Sequence, residues 1–255
     1  MSRNILITGA AGYIVGSIVA NLLSKHPETT KQQVFAAVRT DEQAKALSTL
    51  GINVLKVDLS DEQTVVNEIS SHKISVIVHA ANSINPELAL PLINALAKQK
   101  ESAGKPTHFI HTSGLSAFYA NSRWPRTVNK DTDAVFETEK EFADSYPIRK
   151  SLQAVHISGL TALYCRIIHA ALKNEEISSG KEGYYSAVAH ETDMWEFQDH
   201  LAAAMKARGL VSSNKPEIYS SDEFAADAIN VPVEFLGALN KSGGNFTAIR
   251  PQSIG

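Results

Sequence analysis

The chain has 255 residues, 44% of them hydrophobic and 20% charged, with a formal net charge of −3. That balance gives no electrostatic reason to bind nucleic acid or an acidic membrane, and a single cysteine, Cys165, excludes an internal disulfide. The length suffices for one α/β domain with a small appendage and a substantial core.

The chain opens on Asn4-Ile-Leu-Ile-Thr8, a short apolar strand that runs straight into Gly9-Ala-Ala-Gly12, with a helix-like stretch following to Leu23. Strand, glycine turn and helix in that order form the phosphate-binding turn of a Rossmann unit. Gly9 permits the tight turn, Gly12 lets backbone approach a pyrophosphate, and the new helix offers unpaired N–H groups to the anion. Thr8, Gly9, Ala11, Gly12, Tyr13 and Ile14 are the expected contacts. A third glycine is expected at position 15, where Val15 stands with Gly16 displaced by one residue, so Val15 is expected to loosen the helix–strand packing. Ile5 to Leu23 contains no charge over 19 residues. The glycine turn and Thr8, Tyr13, Ser17 and Asn21 interrupt it, so it reads as a buried strand and helix in a cytoplasmic protein, not a membrane span or signal.

Gln33 to Val38 is expected as a second strand, followed by a helix from Asp41 to Leu50 and a third strand from Ile52 to Val57. Asp58-Leu-Ser60 is expected to cap a helix from Asp61 to Ser71. Ser75 to Ala80 is a fourth strand, Pro86 to Lys100 a helix with Leu88, Leu92, Ala95 and Leu96 on one stripe, and Thr107 to His111 a fifth strand. Continuous apolar strands alternating with amphipathic helices predict an α/β fold with a doubly wound parallel sheet. Further on, Leu160 to Leu172 and Trp195 to Met205 read as amphipathic helices. Glu137, Glu139, Lys140 and Glu141 read as a solvated helix face, and the tail after Gly243 shows no obvious terminal element. Cys165 reads as a small buried hydrophobe. His156 and His169 have no second ligand at useful spacing, and no metal site is expected.

Ligands on such sheets sit beyond the carboxyl ends of the strands. Arg39 ends strand two, where a guanidinium suits a ribose 2′-phosphate; the alternative is a solvated surface arginine. Asp58, with Leu59 beside it, either accepts from an adenine amino group or caps a helix. Ala80-Ala81-Asn82 are small residues that let backbone run beside a nicotinamide ribose.

Thr8 to Gly12, Asp58-Leu59, His79-Ala-Ala81 and His111-Thr-Ser113 resemble the extended short-chain dehydrogenase/reductases, in the NAD-dependent epimerase/dehydratase-like branch. The resemblance covers about the first 150 residues and resumes less specifically from Val155 to Gly183. It implies a nicotinamide nucleotide and a small carbonyl, alcohol or sugar-like substrate; Arg39 points to NADP(H) in preference to NAD, and assembly as a homodimer is left open. The resemblance also implies a catalytic set. Ser113 matches the serine, and Tyr146-Pro-Ile-Arg-Lys150 matches Y-x-x-x-K, whose four-residue spacing puts both side chains on one helix face. A tyrosine of pKa about 10 is a poor base at neutral pH, so the Lys150 ammonium would favour the phenolate, with Lys150 also on the ribose and Ser113 on the substrate oxygen.

The sequence then departs from the family. Beyond Lys150 the family finishes a helix and adds a further strand, whereas only eight residues, Ser151 to Ser158, intervene here. A crossover alone takes about a dozen residues. The expected division is therefore a dinucleotide-binding domain over 1–158 and a reduced substrate-side region over 159–255. The reading is an NADP(H)-dependent oxidoreductase. Its alternatives are a catalytically weak NADP(H)-binding sensor or partner subunit and a redox-neutral isomerase on the same scaffold.

Overall fold

The computed structural model describes residues 3–82, 85–119, 122–143, 161–173, 175–186, 193–240 and 246–253. Strands β1 (Asn4–Thr8), β2 (Val34–Val38), β3 (Asn53–Lys56), β4 (Ile74–His79) and β5 (His108–His111) form one sheet in the order β3-β2-β1-β4-β5. Every pairing is parallel. Their apolar runs have no polar face, because helices cover both sides of the sheet.

The alternation of side chains along the strands divides the core in two. On one face Ile5, Ile7, Val76, Val78 and Ile110 pack against Val15, Ile18 and Val19 of α1 (Tyr13–Lys25). The helix Thr161–Lys173 joins them through Tyr164, Ile167, Ile168 and Ala171. On the other face Leu6, Phe35 and Ile77 meet Val65 and Ile69 of α4 (Glu62–Ser71) and Leu92, Ala95 and Leu96 of α5 (Leu90–Ala103). Each such aliphatic side chain contributes about 1.5–3 kcal/mol on burial. This is the doubly wound arrangement expected of the sequence, and the charge-free stretch resolves into β1 and α1. Among the described residues no helix is long and apolar enough to cross a membrane.

Several boundaries differ from expectation. A polar helix, α2 (Pro27–Gln33), intervenes before β2, started by proline in its first turn and tied by the Thr30 hydroxyl to Leu22 O and His26 O. Helix α3 (Asp41–Ser48) is capped by Thr40, which accepts from Gln43 N. Helix α4 is capped by Asp61, not by Asp58-Leu-Ser60; Asp61 accepts from Thr64 N, while Asp58 accepts from Ser60 N and Oγ. The Pro86–Lys100 helix divides into a 3₁₀ turn, Pro86–Leu88, and α5.

The later chain builds a smaller apolar cluster of Ala117, Phe118, Trp124, Val135, Tyr184 and Phe246. Here two expectations are corrected. Glu139, on α6 (Val135–Glu141), is fully buried rather than solvated, and the Tyr184 hydroxyl donates to its carboxylate. The tail is tied down: buried Asp131 accepts from Ile249 N and Arg250 N at 2.8 and 3.1 Å, and Arg250 pairs with Glu182 at 2.7 Å. Helix Met194–Ala207 matches the expected amphipathic segment, with Trp195 and Phe197 exposed.

Candidate functional site

In a sheet of this order the connections leaving neighbouring strands diverge between β1 and β4, which opens a crevice at their carboxyl ends. Gly9 enters that crevice with φ +79°, a left-handed conformation that side chains resist. A Cβ there would lie 3.0 Å from Ala80 C and O and 3.1 Å from Ala81 N. Only glycine lets the turn rest on the backbone that leaves β4. Gly12 N donates to Gly9 O at 2.9 Å and closes the turn, and Gly16 N donates to Gly12 O at 2.8 Å as the first bond of α1.

Gly12 is thus the N-cap, it has no capping side chain, and no acidic residue stands in the first turn. The N–H groups of Tyr13, Ile14 and Val15 precede the first possible i→i−4 donor and have no acceptor within the helix. Ala11, Gly12, Tyr13 and Ile14 are exposed, with Tyr13 at 92%. This is a seat for an anion with its donors aligned and its dipole favourable. The backbone around Gly12 fits the pyrophosphate expected there.

The structure gives definite surroundings to Val15 and to two of the expected contacts, Leu59 and Thr8. Val15 is 2% exposed and sits in the core with Ile5 and Ile7. A Cβ on Gly16 would stand 3.4 Å from Ala10 O, an ordinary contact, so the close approach in this turn belongs to Gly9. Leu59 is buried among Val57, Val65 and Leu92, so only its backbone can reach the crevice. Thr8 turns inward: its hydroxyl accepts from Ala80 N and Ala81 N and meets His79 Nδ1.

Arg39 follows β2 directly and is exposed; its backbone N donates to Gln43 Oε1 at 3.2 Å. Asp58 is exposed across from it. Its carboxyl is held below the ordinary carboxylate range first by the Ser60 hydroxyl and backbone N–H, and in smaller part by the Arg39 charge. Asp58 Oδ1 is therefore already engaged, which reduces what it offers an adenine. Asn82 Oδ1 accepts from Asn85 N at 2.8 Å, fixing the turn after Ala80 and Ala81.

Ser113 stands two residues beyond β5, and its Oγ is buried with no hydrogen-bond partner among the described residues. A desolvated hydroxyl of this kind costs free energy unless something bonds to it. The preceding Thr112 is anchored by its N–H to His79 O at 2.9 Å and by its hydroxyl to Tyr164. Burial pushes the Tyr164 phenol up to about 12, so this tyrosine stays neutral and structural. Tyr146 and Lys150 lie outside the described residues. Cys165 is half-buried, with its thiol pushed up by burial, in keeping with a structural role.

Two residues of the strand-end motifs, His79 and His111, have no role of their own in the sequence reading. His79 and His111 end β4 and β5 in register, both buried, with rings stacked at 5.3 Å and 13°. Only the parallel register reveals them as neighbours of each other and of Thr8.

The profile of the NmrA-like family matches residues 1–128, just over half of the chain. The chain belongs to the NmrA-like family. The superfamily reading made from the glycine turn and strand ends stands with it. Over 138 residues the chain is 28% identical to the oxidase ucsJ of Acremonium sp., a match spanning 53% of this chain and 38% of that protein. The chain thus covers well under half the length of that relative. Citrobacter sp. triphenylmethane reductase superposes with a TM-score of 0.54 at 16% identity, over 98% of this chain and 94% of that one. The NADPH-dependent quinone oxidoreductase QOR2 of Escherichia coli, complexed with NADPH, gives 0.51 at 20% identity, over 92% and 86%. A nucleoside-diphosphate-sugar epimerase of Staphylococcus aureus gives 0.52 at 14% identity, over 93% and 88%. Likenesses at these identities establish the shared Rossmann-type fold.

The position of Val15 makes a prediction. Val15→Gly removes a buried side chain from the core and places glycine in a helix, so stability should fall by about 2–4 kcal/mol. Urea denaturation of the two proteins checks this, and an unchanged midpoint would contradict the assignment of Val15 to the core.

Proposed function

We propose that this protein binds NADP(H) in the crevice between β1 and β4 and works as an oxidoreductase on a small carbonyl, alcohol or sugar-like substrate. The observation that carries the reading is the glycine turn closed by Gly12 N to Gly9 O, with the uncapped start of α1 behind it. The pyrophosphate would lie on the N–H groups of residues 12–15, and Ala80 to Asn82 would run beside the nicotinamide ribose. Arg39, free of any acidic neighbour on β2, suits a 2′-phosphate bidentately. The two reductases of this fold that are described with NADPH or NADP(H), from Escherichia coli and Citrobacter, support the choice of nucleotide.

When bound, the nicotinamide supplies or accepts the hydride. The chain's own part is to hold the substrate oxygen and manage its proton. Ser113 is the group at hand: its unpartnered Oγ gains a hydrogen bond when a substrate oxygen arrives. Tyr146 would exchange the proton, with Lys150 lowering its pKa and engaging the ribose. Residues 159–255 would form the substrate side.

A second reading, nucleotide binding with little turnover, has its own support. Only Ser151 to Ser158 separates Lys150 from the segment leading into the helix Thr161–Lys173. In the family a further strand anchors the helix that carries the tyrosine and lysine. Misplacing a catalytic group by about 1 Å costs roughly a hundredfold in rate.

Two measurements test these readings. Titration should show NADPH binding more tightly than NADH by about tenfold or more, with Arg39→Asp reversing the order. Equal affinities in the unmutated protein would remove Arg39 from the site. A screen of carbonyl substrates with NADPH should give weak turnover that Tyr146→Phe abolishes, and turnover that survives this substitution would take the proton step away from Tyr146.

A further inference from the structure

Thr8 and His79 face each other across the β1–β4 pairing, and the Thr8 hydroxyl is a meeting point of three groups. Ala80 N and Ala81 N donate to Oγ1 at 3.2 and 3.3 Å, and His79 Nδ1 stands 2.8 Å away. A hydroxyl has one proton and two lone pairs. With both lone pairs taken by backbone N–H groups, the proton is left to His79 Nδ1, which must then be an acceptor. This count assigns a neutral imidazole with its hydrogen on Nε2, a buried nitrogen with no acceptor among the described residues.

We propose that His79 is a positioning residue of the nucleotide crevice, accepting the Thr8 proton and thereby holding the Ala80–Ala81 backbone in the place where Gly9 rests on it. The proposal builds on the nucleotide-binding reading above. A protonated His79 would point a second donor at an oxygen with no lone pair to spare, and the clamp would open.

The surroundings suit a neutral ring. His79 is fully buried, Phe109 stacks on it at 5.9 Å, and the titratable group facing it is His111 on β5, at 5.3 Å. Helices α4 and α5 cover this side of the sheet with Val65, Ile69, Leu92, Ala95 and Leu96, none of them titratable. Desolvation lowers the His79 pKa to about 4, against a smaller opposing effect from a hydrogen bond at the Asn82 backbone. The sign follows from linkage. The unfolded chain takes up this proton near pH 6.5 and the folded chain only near 4, so stability is lost as pH falls through that window.

The test uses NADP+ titration at pH 7.5, with thermal melting to confirm folding. His79→Asn offers an amide oxygen near the place of Nδ1 and should keep affinity within about twofold, whereas His79→Leu should weaken it by about tenfold or more. Thr8→Ser and Thr8→Val should fall in the same order. Between pH 6.5 and 4.5 the melting temperature of the unmutated protein should drop more steeply than that of His79→Asn. A folded His79→Leu that binds as tightly as the unmutated protein overturns the proposal. So does imidazole ¹⁵N NMR of the nucleotide-free protein showing the proton on Nδ1, a readout independent of folding in any variant. If the unmutated protein binds no NADP+, the functional reading itself fails, and the positioning role with it.

Discussion

The candidate site depends on the closeness with which Gly9 rests on the backbone leaving β4. At 3.0 Å from Ala80 to a hypothetical Cβ, no side chain fits, and the turn is pressed into the fork between β1 and β4. Everything nearby follows from that approach. The turn closes on itself through Gly12, α1 starts with bare donors, and Val15 falls on the face of α1 that enters the core. Parallel pairing in register then sets Thr8, His79 and His111 side by side at the strand ends.

Packing and chemistry are thereby linked. The two apolar clusters clamp the sheet from both faces and fix where the strand ends lie, while a small polar assembly finishes each end. Thr8 with His79 holds the β1–β4 fork. Thr112, tied to His79 O and to the Tyr164 hydroxyl, holds the end of β5 next to Ser113, whose Oγ has no partner among the described residues. In the later chain Asp131 and Glu139 do the same work for the Phe118–Trp124–Phe246 cluster, gathering backbone N–H groups and a tyrosine hydroxyl into a dry interior. Each of these carboxylates is buried because it has those donors.

Much of this was legible in the sequence. Four of the five strands announce themselves as short uncharged runs, β3 carrying one charge at Lys56, and the glycine turn is recognisable because strand, turn and helix must follow in that order. What was hidden depends on distance along the chain or on a single residue of register. Thr8 reads as a phosphate contact, and its bonds to His79 and Ala80 join residues more than 70 positions apart in sequence. Glu139 reads as one charge among several until Tyr184 reaches it, 45 residues on. Val15 reads as a side chain that loosens the helix–strand contact, and in the structure it lies at that contact as a buried part of the core, with α1 beginning at Tyr13. Helix α2 has no apolar stripe to reveal it; its proline start and the Thr30 hydroxyl shape it.

The central claim is that the start of α1 is the nucleotide seat. The most direct measurement is a titration of ¹⁵N-labelled protein with NADP+, followed through the backbone amides. The largest shifts should fall on Gly12, Tyr13, Ile14 and Val15, with smaller ones at Ala80 and Ala81 and none along α2. Saturable binding that leaves the amides of residues 12–15 unmoved would contradict the account.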